Sequence, residues 1–580
     1  MKKLIPLIVV GTLTILVAVG WYFRPENRVA HNLELSLENS VESFDPALAY
    51  SDDALNVMAQ VLEPLYQYHY LKRPYEIIPL VAEGIPEISR DGKTYVMSLR
   101  TGVFFHNHPA FQGKVRELAA EDAVMALKRI AFHPLNSPFR SFFAGTLVGF
   151  KEFGDKVGND WRKLRKTELT GAQADGQKLT LQLLRQEPNL IYYLAMAALA
   201  PIPWEIVEHH ENDLAHVLVG TGPYEYLGLS GQVHRLQMFD KYREDFYPTT
   251  GDRYANIQNL LSNSRERIPF IKEVNFHVLP TEEGRWKAFH DGLIDILSVP
   301  RGMLPKVLGT GEFGKTELES DGIQVKHFPV QALRWLAFDM RDKVWGKNLN
   351  LRRAIAHAID TDGYISLLSQ KTNLKAHSLL VPGLPGYDPS SSLPFRYDLQ
   401  LAKDFLAAAG YPGGKGLPVL RYSTRGNQEA NITEAEFLRE QLAKIGITLE
   451  VEIITFTDFL RLGRAGKLQF FTDNWFFDYP DGENILQLLV GSNAPGINKA
   501  GYQNGDVDRW YQELRITSEP VEKIRLMAEI TEKVVHDLPW IPLMYESSYV
   551  LLAPHVHNYR KSSVARNYVK YLKLGTEDRK

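Results

Sequence analysis

Beyond residue 30 the apolar positions follow two alternating rhythms. Segments with an apolar residue at every second position, such as TYVMSLR (94–100) and KLTLQLL (178–184), predict strands with one buried face. Between them, apolar residues three and four apart predict helices at AAEDAVMALKRIAF (119–132), 350–360, 399–410 and 432–446, with Gly410 and Gly446 as stops of the last two. Strand-like or turn sequence follows each helix, as in ITLEVEIITF (447–456). This interleaving is α/β patterning. There is no repeat at a fixed period and no low-complexity segment, which disfavours a solenoid or a disordered linker protein. The Pro/Gly-rich stretches 380–395 and 410–418 read as surface loops of the second half.

The N-terminus breaks the pattern. Lys2 and Lys3 precede an uncharged apolar run from Leu4 to Phe23, closed by Arg24, so residues 1–24 read as a signal peptide or a membrane anchor. Ala18-Val19-Gly20 offers small residues for cleavage, and in both readings the rest of the chain is exported. At 580 residues and 44% hydrophobic content, the chain supports two or three structural units. A net charge of -3 and the absence of a long basic run argue against a nucleic-acid partner. The chain has no cysteine, which excludes disulfides, thiolate metal sites, a cysteine nucleophile and a lipidated N-terminal cysteine.

Chemistry concentrates at WFFDYPDGE (475–483), where aromatics and Pro480 surround Asp478, Asp481 and Glu483. A carboxylate among aromatic walls can hold an ammonium; alternatively Asp478 caps a turn, with Trp475 and Phe477 in the core. Asp481 and Glu483 are expected to face solvent. GTGEFGKT (309–316) fits the phosphate-loop pattern, but helical sequence precedes it and a strand follows, the reverse of what a phosphate cradle needs. His106, His108, His209 and His210 lack the spacing that puts two imidazoles on one helix face and read as exposed polar turns, so no metal or other cofactor is expected. No nucleophile motif or acid/base pair points to an enzyme.

In order along the chain, 43–68, IIPLVAEGIPEISRDGKTYVMSLRTGVFFHN (77–107), AEDAV (120–124), GTGPY (220–224), 289–296, 336–360, 407–416, WFFDYPDGENIL (475–486), 502–510 and 538–545 resemble the family 5 extracellular solute-binding proteins. That resemblance implies the two-lobed, hinged periplasmic-binding-protein fold of the class with an extra domain. Carried over, residues 32–66, 200–328 and 546–575 form the first lobe, 67–199 the extra domain and 329–545 the second lobe. It also implies a monomeric receptor, in the periplasm or on the outer face of the cytoplasmic membrane. Such a receptor delivers a peptide or other small solute to the permease of an ABC importer. An anchored sensor or chaperone without transport is the alternative, and a nucleotide-using enzyme built on 309–316 a remote one.

The resemblance also suggests ligand contacts. Asp478, three residues after Trp475, corresponds to the aspartate that grips a peptide's α-amino group, with Trp475, Phe477 and Tyr479 as its aromatic walls. Tyr50, Ser51 and Asp52 lie in the first-lobe stretch whose backbone pairs with an extended peptide. Tyr224 of GTGPY could stack on ligand, although a core tyrosine fits its setting better. Thr472, Asp473 and Asn474 stand where some peptide binders carry an arginine for the ligand's carboxylate, which puts recognition of a free C-terminus in question.

Overall fold

A computed structural model describes residues 32–575 except 309–317, 319 and 371. The N-terminal segment 1–24 and the phosphate-loop-like 309–316 lie outside the described residues. Among the described residues no helix is long and apolar enough to cross a membrane.

The predicted elements form close to their expected positions: strands Thr94–Ser98 and Lys178–Gln182, and helices Ala120–Ala131, Leu349–Ala358, Leu399–Ala408 and Glu429–Ala443. Gly410 and Gly446 have φ of 95° and 86°, the left-handed region that ends a helix at little cost only for glycine.

Three sheets carry the architecture. In the first, Asn32–Leu37 pairs in parallel with Glu273–Val278, and Val233–Met238 and Tyr224–Ser230 complete the order. Leu33, Leu35 and Leu37 alternate inward onto Val57, Met58 and Val61 of helix Asp52–Val61. The second sheet, ordered Glu87–Ile88, Thr94–Ser98, Lys178–Gln182, Ala172–Asp175, has a separate core against helix Ala120–Ala131. Arg129 of that helix makes two 2.7 Å bonds to the Asp45 carboxylate, both side chains buried, and so clamps this unit to the first sheet's unit.

The third sheet runs Ile296–Ser298, Trp540–Leu552, Gln324–Phe338, Phe470–Phe476, Leu420–Ser423, Leu449–Glu452, with Leu374–Lys375 added to the Trp540–Leu552 strand. Period-two alternation gives it two cores: Leu333, Trp335 and Ala337 face one, Leu336 and Phe338 the other. The strands 324–338 and 540–552 are long enough to serve both lobes. Their outer halves place Phe328, Val550 and Leu552 in the first sheet's core, while their inner halves place Leu333 and Tyr545 in the third sheet's. Between Pro329 and Leu333 their register shifts. A bulge bends a strand and breaks its ladder, so the double crossover is weakest where a hinge must bend.

Candidate ligand cleft

The strands Leu420–Ser423, Leu449–Glu452 and Phe470–Phe476 run parallel, so their C-terminal ends share one edge of the third sheet. Ligands in open α/β sheets bind beyond such edges. Here the edge carries Arg425, Phe456, Trp475, Phe476 and Asp478. Phe476, which closes the last strand, is 58% exposed, and Phe456 40%.

Asp478 is partly buried and held in place by Asn484. The buried Asn484 amide accepts from Trp475 Nε1 (2.8 Å) and from the Asp478 N–H (3.2 Å), and donates to Asp478 Oδ2 at 3.3 Å. Across the cleft the Tyr50 hydroxyl donates to Asp478 Oδ1 at 3.3 Å, although 428 residues separate the two. Burial raises the Asp478 pKa above the usual carboxylate value, and these two hydrogen bonds partly offset it. No cation pairs with Asp478 among the described residues. Tyr50 is 64% exposed, and its hydroxyl pKa is pushed up to about 12 by burial of the hydroxyl and the nearby Asp478 charge.

On the same strand, Asp473 accepts from Arg425 Nε (3.0 Å) and Lys499 Nζ (2.6 Å). The Arg425 guanidinium lies over the Phe456 ring, 4.8 Å from its centroid. Its two Nη groups have no partner among the described residues. An arginine therefore stands beside the stretch 472–474 after all, delivered by the loop that follows strand 420–423. The sequence signal for it was weak: an arginine between the expected loop 410–418 and the predicted helix 432–446. Asn484 was missed as well, because nothing local marks an amide as the clamp of a carboxylate six residues earlier.

Packing corrects the expected ligand contacts at Tyr224, Phe477 and Tyr479. Tyr224 is fully buried in the first sheet's core, with its hydroxyl donating to the Ile271 carbonyl at 3.2 Å. Tyr224→Phe should therefore leave ligand affinity unchanged in calorimetry while lowering stability by about 1 kcal/mol, the net worth of one hydrogen bond. The glycines of GTGPY serve close approach: a Cβ on Gly220 or Gly222 would come within 2.2 or 2.6 Å of the Val61 carbonyl oxygen. Ser51 caps helix Asp52–Val61 by accepting from the Ala54 N–H, and Asp52, exposed, is ion-paired to Arg566 at 2.6 Å. Phe477 is buried in the third sheet's core.

Tyr479, expected as a cleft wall, instead inserts into the core behind the second sheet. It stacks on Tyr192 (5.6 Å, 10°) and meets Tyr193 edge-on. Asp481 and Glu483, expected in solvent, are buried with it. The Glu483 carboxylate receives the Tyr479 and Tyr511 hydroxyls and Asn189 Nδ2 (3.1 Å), while burial raises its pKa. Lys523 bridges Asp481 (2.8 Å) and Asn189 (3.2 Å), and Arg515 pairs with Glu187 at 3.1 Å. Residues next in sequence to Asp478 thus form a buried polar contact between two structural units.

Of the four histidines expected in exposed turns, His209 is exposed but His106 is not. His106 is buried against Gly222, while His108 Nε2 lies 3.3 Å from His210 Nε2 with His209 alongside. His108 Nδ1 accepts from the Ala110 N–H. Among the described residues no group of three or more His, Asp or Glu side chains could hold a metal ion.

Two α/β lobes joined by paired crossing strands, with cleft residues contributed from both sides, define a hinged receptor of the periplasmic-binding-protein type. The sequence profile of the bacterial extracellular solute-binding proteins, family 5 Middle, matches residues 76–496, and the chain belongs to that family. Heme-binding protein A of Haemophilus influenzae is 25% identical over 90% of this chain and 88% of its own length. The dipeptide-binding protein of Escherichia coli is 22% identical over 88% of each. The structure of HbpA2 from Haemophilus parasuis superposes with a TM-score of 0.75 at 21% identity, covering 94% of this chain and all of that one.

Proposed function

We propose that this protein is an exported receptor that grips short peptides by both ends between its lobes, without chemical change, and presents them to the permease of an ABC importer. The observation that carries the reading is a pair of charges left open on one sheet edge. Among the described residues Asp478 lacks a cation, and both Nη groups of Arg425 lack a partner. An α-ammonium at Asp478 and an α-carboxylate on the Arg425 fork would supply both, in charge-assisted bonds worth about 1.5–3 kcal/mol each. Asp473, which holds Arg425, is five residues from Asp478, a chain span of at most about 17 Å, which favours peptides of a few residues. The dipeptide-binding relative supports the same class of ligand.

Closure follows from the double crossover: ligand contacts made to both lobes stabilise the closed state, which the permease would read. The register shift at 329–333 supports a second lobe spanning 329–545. The separate core around the Glu87–Ile88 sheet supports an extra domain at 67–199, with 32–66, 200–328 and 546–575 as the first lobe. Residues 1–24 would direct export to the periplasm or hold the receptor at the outer face of the membrane. Should no permease use it, an anchored sensor or chaperone would share the same site.

Calorimetry with Ala-Ala and its C-terminal amide tests the reading. The free acid should bind at least tenfold more tightly than the amide, and Arg425→Gln should remove that difference while Lys499 keeps Asp473 paired. Binding of haemin with no binding of dipeptides would overturn it.

A further inference from the structure

Beside the crossing strands a cavity of about 290 Å³ is lined by Arg334, Glu546 and Ser548 of those strands, by Asn373 and Asn431 of the second lobe and by Val299 of the first, among others. Its charges are unevenly satisfied. Arg334 donates Nε to the Tyr364 hydroxyl (2.8 Å) and Nη2 to the buried Glu434 (2.6 Å), which leaves Nη1 without a partner among the described residues. Glu546 accepts from Asn373 Nδ2 at 3.0 Å.

Ser548 links this cavity to Lys561. The Lys561 Nζ donates to Ser548 Oγ (2.9 Å) and Ser298 Oγ (3.1 Å), hydroxyls from the paired strands Trp540–Leu552 and Ile296–Ser298, and no carboxylate lies within 4 Å of it among the described residues. The neighbouring acids are already engaged: Asp52 is held by Arg566 at 2.6 Å and Glu38 by Arg285 at 3.3 Å. An ammonium drawn out of water with only neutral partners is costly, and burial lowers the Lys561 pKa to about 8. Tyr50, whose hydroxyl reaches Asp478, stands two residues before Asp52, one of the charges that act on Lys561.

We propose that Lys561, with Ser298 and Ser548, forms a second ligand subsite that receives an additional carboxylate, so that the preferred solutes are acidic peptides. This rests on the peptide-receptor reading above. A ligand carboxylate would complete the donor set of Lys561 and bring a countercharge that the fold withholds. The side chain or extension bearing it would fill the cavity beside Arg334. Because Ser548 lies on a crossover strand and Ser298 on the strand paired with it, occupancy would also brace that pairing.

The test compares matched peptides by calorimetry: Glu-Ala against Gln-Ala, and Ala-Glu against Ala-Gln, with Ala-Ala as the reference for peptide binding. In at least one pair the glutamate peptide should bind about tenfold more tightly than its isostere. That ratio should fall towards one in Lys561→Met and persist in Lys561→Arg, which keeps the charge and guards against misfolding of the first variant. Equal affinities within both pairs, or a preference that survives in Lys561→Met, would overturn the acidic subsite while Ala-Ala binding kept the peptide reading intact. Failure of all five peptides to bind would instead overturn both.

Discussion

Asp478→Asn should weaken the binding of dipeptides with a free N-terminus by at least tenfold. The substitution keeps the shape and the bond from Asn484 Nδ2, since an amide oxygen still accepts it, but removes the charge opposite the ligand's ammonium. Loss of one charge-assisted bond is worth more than about 1.4 kcal/mol, or a factor of ten. N-acetylated peptides should bind the wild type poorly and be indifferent to the substitution, so four calorimetric titrations isolate the contact. A pH series adds an independent check. Burial raises the Asp478 pKa, so in the empty receptor a proton competes with ligand as pH falls through that raised value. Affinity should therefore decline on acidification in the wild type and stay flatter in Asp478→Asn. Equal affinity of free and acetylated peptides would make Asp478 a structural residue.

The second large effect concerns the neighbouring side chain. Tyr479→Ala should destabilise the protein by about 3–5 kcal/mol, the usual cost of deleting a buried aromatic side chain. Its ring lies against Tyr192 and Tyr193, and its hydroxyl is one of two tyrosine donors to Glu483. Tyr479→Phe should cost about 1–3 kcal/mol, because it keeps the ring and leaves a buried acceptor short of one donor. Urea denaturation followed by tryptophan fluorescence measures both. A Tyr479→Ala protein as stable as the wild type would show that the ring is a free cleft wall. Because Asp478 and Tyr479 are adjacent, the proposed ligand contact would be mechanically joined to the packing of Tyr479 against Tyr192 and Tyr193. Weakening the contact should thus raise the population of open receptor and lower apparent affinity without touching ligand.

How far the sequence reaches follows from what a local pattern encodes. Periods of two and three-to-four residues mark strands and helices because each element must bury one face, so the α/β class was legible. The ends at Gly410 and Gly446 were legible too, since a left-handed cap is cheap only for glycine. The ordered family segments carried the two-lobed fold. Asp478 could be singled out because its aromatic neighbours sit within a few residues of it. What the sequence could not encode locally is which of its many charges find partners. Arg425 meets Asp473 from 48 residues away, Tyr50 meets Asp478 across 428, and Asn189 reaches Glu483 across 294. Those distances explain why Asp481 and Glu483 read as solvent-facing, and Tyr479 as a ligand contact. The aromatic and acidic side chains are the same in either setting, and only packing against remote segments decides whether each is spent on the fold or left open to a solute.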